Sequence, residues 1–278
     1  MSQLNSELLP IANKKVINLR TREVRDRLSE DVFPLDSTPL PKDLAKNNPY
    51  FDEARRPVEE MFPHPNYDCP VNYNLAYDFA WVESFFLKLA AGDKELSAHI
   101  QSICGYILTN RIDDDHALIF VGKSDSAAKL LLRVMIKILY QYYDSVDHDL
   151  LVKNNQMARH CFSVVWEHVL YHKLYSCSLA SGDILSSSQI DLAIRDSSRG
   201  PRCTKLVFYC QNVPAFNLPT LKARVIVLDQ EWQCPAEYKE EVYSHIDDIF
   251  SHLVEHASEY LKSGELINPN LTKYIPSP

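Results

Sequence analysis

The segment from Gly122 to Lys129 has the position, though not all of the residues, of a triphosphate-binding turn. It follows the apolar run HALIFV and precedes LLLRVMIKIL, so the pattern predicts a buried strand, a polar turn and a helix. In the motif G-x-x-x-x-G-K-[ST], glycines let backbone N–H groups surround phosphate, the lysine neutralises the outer phosphates and the hydroxyl binds Mg²⁺. Read from Gly122, this chain has Ala127, Ala128 and Lys129 at the last three positions.

These substitutions remove most of the chemistry of that motif. Ala128 lacks the ammonium group, whose charge-assisted hydrogen bonds to phosphate contribute roughly 1.5–3 kcal/mol each. Lys129 lies about 100° further around the helix and puts a cation where the metal ligand belongs. Lys123, with Ser124 or Ser126 supplying a hydroxyl, is an alternative set of phosphate ligands. We expect impaired ATP hydrolysis, with ATP and Mg²⁺ as cofactors only if this alternative set works.

Four short apolar runs, with helices around them, form the scaffold of this turn. Such runs predict strands buried on both faces, and the helix after the first run indicates parallel pairing. A helix pair joined by Gly92-Asp93 precedes the runs, and a long helix ending at Gly264 follows them. The predicted strands are 116–122, 161–169, 205–212 and 223–229, and the predicted helices are 77–91, 93–107, 130–143 and 237–264.

The ordered series of motifs resembles the superfamily 3 helicases of the phage and poxvirus primase-helicase type. Before the turn, the matching residues are Gly92-Asp93, Glu95, Gly105-Tyr106 and Leu108-Thr109. After it, the segments SLASGDILSSSQ, KLVFYCQNVPAFNLP and ARVIVLD match the family in order. The resemblance covers residues 75–267 and implies an α/β, AAA+-like fold (a P-loop NTPase fold) with a mostly parallel sheet flanked by helices.

The resemblance also implies roles for residues outside the turn. Glu167, in the run FSVVWEHV, takes the position of the carboxylate that polarises the attacking water. Asn212 takes the position that senses the terminal phosphate, and Arg224 that of an arginine supplied across a subunit boundary. A basic loop corresponds to the hairpin that grips a nucleic-acid strand in the family's ring, and a solvated loop is the alternative interpretation. Its basic residues are Arg195, Arg199, Arg202 and Lys205.

Residues 1–73 differ from residues 74–278 and are predicted to be an irregular extension of a single helicase-like domain. They hold nine of the sixteen prolines. Within them, KKVINLRTREVRDRLSEDVF predicts one short amphipathic helix whose basic cluster is either a solvated face or an arm for nucleic acid or a partner. The cluster consists of Lys14, Lys15, Arg20, Arg22, Arg25 and Arg27.

Composition excludes several classes of protein. The 278-residue chain is 46% hydrophobic and 24% charged, as in globular proteins, and no apolar run reaches the roughly 18 residues of a membrane span. A net charge of −8 excludes a general polyanion binder, so any contact with DNA requires a local basic patch. Seven cysteines without a C-x-x-C pair, and histidine pairs at 168/172 and 252/256 without a third ligand, favour no metal. The start lacks a secretory signal, which predicts an intracellular protein in the cytoplasm or nucleus.

These observations predict a helicase-like module of viral or mobile-element origin that acts in DNA replication or in assembly. The expected partners are single-stranded DNA and further copies of the chain or a replication complex, with no membrane. Two alternatives stay open. One is an interaction protein that reuses the fold without binding nucleotide or DNA, and the other is an ATPase with an unorthodox loop.

Overall fold

A computed structural model describes residues 7–28, 31, 69–109, 116–122, 126–145, 174–179, 184–186, 205–211, 215–217, 222–228 and 232–267. The first strands are β1 (Leu8–Ile11), β2 (Lys15–Asn18) and β3 (Val24–Asp26). Then come α1 (Phe79–Leu89), α2 (Lys94–Leu108), β4 (His116–Val121), α3 (Ala127–Leu139) and, after one 3-10 turn (Tyr140–Tyr142), β5 (Tyr143–Ser145). The remaining elements are β6 (Leu174–Leu179), β7 (Ile184–Ser186), β8 (Lys205–Cys210), β9 (Ala215–Asn217), β10 (Lys222–Val227), α4 (Ala236–Ser244) and α5 (Ile246–Ser263).

Within the described residues, β10, β4, β8, β6 and β5 form one sheet in that order, and each neighbouring pair is parallel. From β4 the chain crosses to β5 at the far edge and returns through β6 and β8, and β10 then adds on the other side of β4. The strands predicted at 116–122, 205–212 and 223–229 are confirmed as β4, β8 and β10. The strand predicted at 161–169 lies outside the described residues. On the side of β8 away from β4 the neighbouring strand is β6, which the periodicity did not predict.

The predicted helix pair is confirmed as α1 and α2, because local signals define both of its inner ends. Gly92 adopts a φ of 84° in the connection, and the Asp93 carboxylate accepts hydrogen bonds from the backbone N–H groups of Glu95 and Leu96. The long helix predicted at 237–264 is instead two helices, α4 and α5, that meet at His245. Its imidazole stacks on Trp81 with ring centroids 4.0 Å apart, so a tertiary contact stabilises the break.

Part of the core lies where α2 packs against α5. Gly105 permits the close approach, since a Cβ there would lie 2.6 Å from the Cβ of His256 and 2.7 Å from the backbone nitrogen of Ala257. Gly105, which the family resemblance assigns to the Gly105-Tyr106 motif, therefore has a packing role. Fully buried apolar side chains on the two helices include Ile100, Ile103, Ile107, Ile249, Phe250 and Leu253.

The helix predicted in the basic segment after residue 13 is wrong, because the chain there forms β2 and β3. Asn13 and Lys14 adopt φ angles of 63° and 55°, which close a hairpin between β1 and β2. The backbone of residues 69–71 bonds to the other edge of β1, through hydrogen bonds of 3.0 and 3.2 Å. Residues 7–28 are thus regular rather than irregular, and their apolar side chains join the same core as the helices. Those side chains are Leu9, Ile11, Ile17 and Leu19.

Candidate functional site

The turn after β4 lies at the carboxyl-terminal edge of the parallel sheet. The Gly122 N–H donates to the carbonyl of Cys210 at 2.9 Å, and the Leu228 N–H donates to the carbonyl of Val121 at 3.3 Å. The ends of β4, β8 and β10 therefore lie side by side. In open parallel sheets, ligands bind outside the carboxyl ends of the strands, at the point where the strand order reverses. β4 is that point, because later strands of the chain lie on both sides of it in the sheet.

Side chains from the start of α3 fill the space beside Gly122. A Cβ added at Gly122 would collide with the Oγ of Ser126 and lie 2.8 Å from the Cβ of Ala128. Ser126 is 2% exposed and Ala128 is fully buried. The residue at the position of the phosphate-binding lysine is thus part of the core.

Ser126 precedes α3 as its N-cap, but its hydroxyl does not cap the helix. No side-chain hydrogen bond to the first turn is formed, and within the described part of the chain the buried Oγ has no hydrogen-bond partner. A buried hydroxyl without a partner carries a desolvation cost of about 1–3 kcal/mol. Ser126 is the one member of the alternative set of phosphate ligands that lies within the described residues. Lys123 and Ser124 lie outside them.

Lys129, at the position of the metal-binding hydroxyl, contacts the sheet. Its Nζ lies 4.8 Å from the ring centroid of Tyr209 on β8, within the range of a cation–π contact. An ammonium group in this place stabilises the packing of α3 on β8 and cannot donate a lone pair to a metal ion.

Most of the remaining predicted residues lie outside the described residues. These are Glu167, Asn212, Arg195, Arg199 and Arg202. The other two have described backbones. Arg224 pairs with Leu118 half-way along β10, which is an edge strand of the sheet, and Lys205 begins β8 at the end of the strands opposite the turn. Lys205 is five residues, or about 16 Å of strand, from Cys210 at the carboxyl end of β8.

The stretch between β6 and β7 contains a carboxylate, Asp183, to which the sequence analysis assigned no role. Leu179 pairs with Cys210 in the large sheet, and Ile184 pairs with Ala215 where β7 and β9 form a two-stranded parallel sheet. The residue numbers of the two partners differ by 31 in both pairs (210 − 179 and 215 − 184), so the β7–β9 pairing has the same register as the β6–β8 pairing. Asp183 follows β6 by four positions in the sequence and lies outside the described residues. The signal was the SGD triplet after β6, which the resemblance used only as a marker of order.

The basic cluster of the N-terminal sheet is partly neutralised. Arg20 pairs with Glu7 at 2.8 Å, Arg22 with Glu255 at 3.3 Å, and Arg25 with Asp31. Hydrogen bonding to the Arg25 guanidinium lowers the pKa of the Asp31 carboxyl. Three of the six cations thus stabilise the fold, which favours a structural face over an arm that binds nucleic acid.

The histidines at 252 and 256 belong to a buried polar network on α5. His252 Nδ1 lies 3.0 Å from Tyr77 Oη, and its Nε2 lies 2.9 Å from Gln101 Oε1 and 3.2 Å from His256 Nε2. Burial lowers the pKa of His252 to about 4, so its imidazole is neutral at pH 7. Across the described ranges, no group of three or more His, Cys, Asp or Glu residues can hold a metal ion.

Comparisons with known proteins identify the fold and no closer relationship. No protein-family model matches the sequence, and no curated protein matches it. The apo structure of the NrS-1 C-terminal region in its A form is similar to this chain, with a TM-score of 0.52, 14% identity, and coverage of 73% of this chain and 51% of that chain. A second apo structure of that region, residues 305–718, has a TM-score of 0.52, 15% identity and coverages of 74% and 52%.

The chain therefore shares its fold with the NrS-1 region and spans about half of that region's length. In the described parts of the chain, no helix combines the length and apolar character needed to span a bilayer.

Proposed function

We propose that this chain is a helicase-like module of a DNA-replication system, with an AAA+-like fold and little or no ATP hydrolysis. NrS-1, whose C-terminal region has a similar fold, is a phage primase-helicase. A parallel sheet with a strand–turn–helix unit at its point of strand reversal supports the same class. In this proposal the module acts as a homo-oligomer or as a partner in a replication complex, and it contacts single-stranded DNA.

The observation that carries the proposal is the packing beside Gly122 at the end of β4. Ala128 is fully buried beside Gly122, at the position where a triphosphatase has its lysine. The outer phosphates of a nucleotide would therefore lack the cation that offsets their charge there. The Gly122 N–H is already bonded to Cys210, which leaves one donor fewer for phosphate.

An ATPase with an unorthodox loop is the second candidate, and one observation favours it. The buried Ser126 hydroxyl has no hydrogen-bond partner within the described residues, and it lies at the N-terminus of α3, where the helix dipole favours an anion. A phosphate oxygen would satisfy that hydroxyl. This candidate and the leading one differ in a single measurable property, nucleotide turnover in the presence of Mg²⁺.

Titration with a non-hydrolysable ATP analogue and Mg²⁺, followed by an ATPase assay on the full chain, tests the proposal. We expect no saturable binding below about 1 mM and no Mg²⁺-dependent turnover. Turnover that Glu167→Gln abolishes would overturn the proposal and favour the unorthodox ATPase.

A variant with the turn rebuilt, Ala127→Gly with Ala128→Lys and Lys129→Ser, is the matched comparison. It restores the glycine, ammonium and hydroxyl, so it should bind the analogue more tightly than the natural chain, provided that its melting temperature shows a folded protein. If the rebuilt chain hydrolyses ATP, Glu167→Gln and Asp183→Asn in that background identify which carboxylate is used. A folded rebuilt chain that binds no nucleotide would favour an interaction protein instead.

A further inference from the structure

The side of α3 that is not buried carries only positive charge. Lys129, Arg133 and Lys137 follow one another at intervals of four residues, and α3 contains no acidic residue. Each interval of four turns the helix by about 40°, so the three side chains lie within an arc of about 80° and over about 12 Å of helix. Almost all other positions of α3 are buried: Ala127, Ala128, Leu130, Leu131, Leu132, Val134, Met135, Ile138 and Leu139.

No described carboxylate neutralises these three cations. In the part of the chain that the structure describes, none of them forms an ion pair with a carboxylate, unlike Arg20, Arg22 and Arg25 of the N-terminal sheet. Lys129 lies over Tyr209, and the Nζ of Lys137 lies 4.2 Å from the ring centroid of Tyr243. Two of the three cations are thus held by aromatic rings, which orient an ammonium group without cancelling its charge.

Tyr140 places an exposed aromatic ring directly after the last residue of α3, three positions beyond Lys137. The residue is 57% exposed and adopts a φ of 49° with a ψ of −102°, a strained conformation for a non-glycine residue. A bulky side chain kept in solvent on strained backbone points to a function for the ring. We call Lys129, Arg133, Lys137 and Tyr140 the α3 basic face.

We propose that the α3 basic face binds the backbone of a single-stranded nucleic acid, with Tyr140 as a platform on which one base stacks. A row of cations along a backbone together with an aromatic ring is the combination that binds single strands without sequence preference. Charge complementarity supports a polyanion here, because the face is basic in a chain of net charge −8. The face contains none of the basic residues of the predicted loop at 195–205. This inference takes the kind of partner, a single-stranded nucleic acid, from the proposed function. It does not depend on whether the chain binds nucleotide.

Fluorescence anisotropy with a labelled oligothymidylate of about 16 nucleotides tests the proposal on the full chain. We expect the double variant Arg133→Glu with Lys137→Glu to bind at least tenfold more weakly. The control is Lys94→Glu with Lys262→Glu, which changes the net charge equally at exposed positions on α2 and α5 and should stay within about twofold. The neutral variant Arg133→Ala with Lys137→Ala should reduce the slope of log K against log salt by about 1.4 in magnitude.

Tyr140→Gly separates the ring from the fold. Glycine relaxes the strained backbone, so the variant should melt no earlier than the natural chain, while the loss of base stacking should weaken binding about tenfold. The proposal is overturned if the α3 and control double variants bind equally, or if the natural chain binds no oligonucleotide. It is also overturned if an acidic polypeptide binds this face while oligothymidylate does not. The proposed function is contradicted by a different result, Mg²⁺-dependent nucleotide turnover. The failure of one proposal can therefore be told from the failure of the other.

Discussion

The neutral state of His252 is a property of its surroundings in the α1–α2–α5 contact. Its imidazole is 2% exposed and lies among Tyr77, Gln101 and His256. Glu83 Oε1 is 3.4 Å from Nε2, which would be an ion pair only if the ring were protonated. Burial disfavours that charge, and the pKa of His256 is lowered by burial as well. The two rings therefore act as uncharged polar groups in the core.

We predict that the protein loses stability between pH 6.5 and about 4 through His252. The pKa of this residue is near 6.5 in the unfolded chain and about 4 in the folded one, so the unfolded chain takes up the proton first as the pH falls. The free energy of unfolding should decline by on the order of 3 kcal/mol over that range. Urea unfolding across these pH values measures it. His252→Gln should give a flatter profile, and parallel profiles for the two proteins would contradict the assignment.

The starts of α2 and α3 provide a matched pair of helix caps. Asp93 accepts hydrogen bonds of 2.9 and 3.2 Å from the first turn of α2, whereas Ser126 makes no side-chain bond to α3. Asp93→Ala should therefore lower the free energy of unfolding by about 1 kcal/mol. Ser126→Ala should have no such cost and can even stabilise, because it removes a buried hydroxyl that has no partner. Chemical denaturation of both variants checks the difference, and equal losses would contradict this account.

The N-terminal sheet shares its hydrophobic core with the helices. Ile17 is fully buried in the core that includes Phe86 and Phe250, while Val24 of the same sheet is 39% exposed. Ile17→Ala should lower the free energy of unfolding by about 2–5 kcal/mol, because it leaves a cavity in that core. Val24→Ala is the control and should change it by less than about 0.5 kcal/mol. If unfolding monitored by tryptophan fluorescence were unaffected by Ile17→Ala, residues 7–28 would be an independent extension.

Short-range patterns located α1, α2 and α3 and the strands β4, β8 and β10, although α3 covers Ala127–Leu139 and does not continue to residue 143 as predicted. Their apolar periodicity and end signals lie within each segment, so the burial of one face follows from the local sequence. The same reasoning failed for β2 and β3, where helical spacing of Val16 and Leu19 concealed a hairpin that depends on left-handed backbone at Asn13 and Lys14. It also failed for the break at His245, which depends on stacking with a ring more than 160 residues away in the sequence (245 − 81 = 164).

For the candidate site, the sequence by itself determined which residues follow β4 and therefore that Ala128 and Lys129 replace a lysine and a hydroxyl. Only the tertiary structure decided that Ser126 and Ala128 fill the turn beside Gly122, and that Lys129 lies over Tyr209. The tertiary structure also decided that β8 lies between β4 and β6. The physical reason is common to these cases. A residue's type is a local property, whereas its burial, its contacts and the order of parallel strands come from segments that are far apart in the chain.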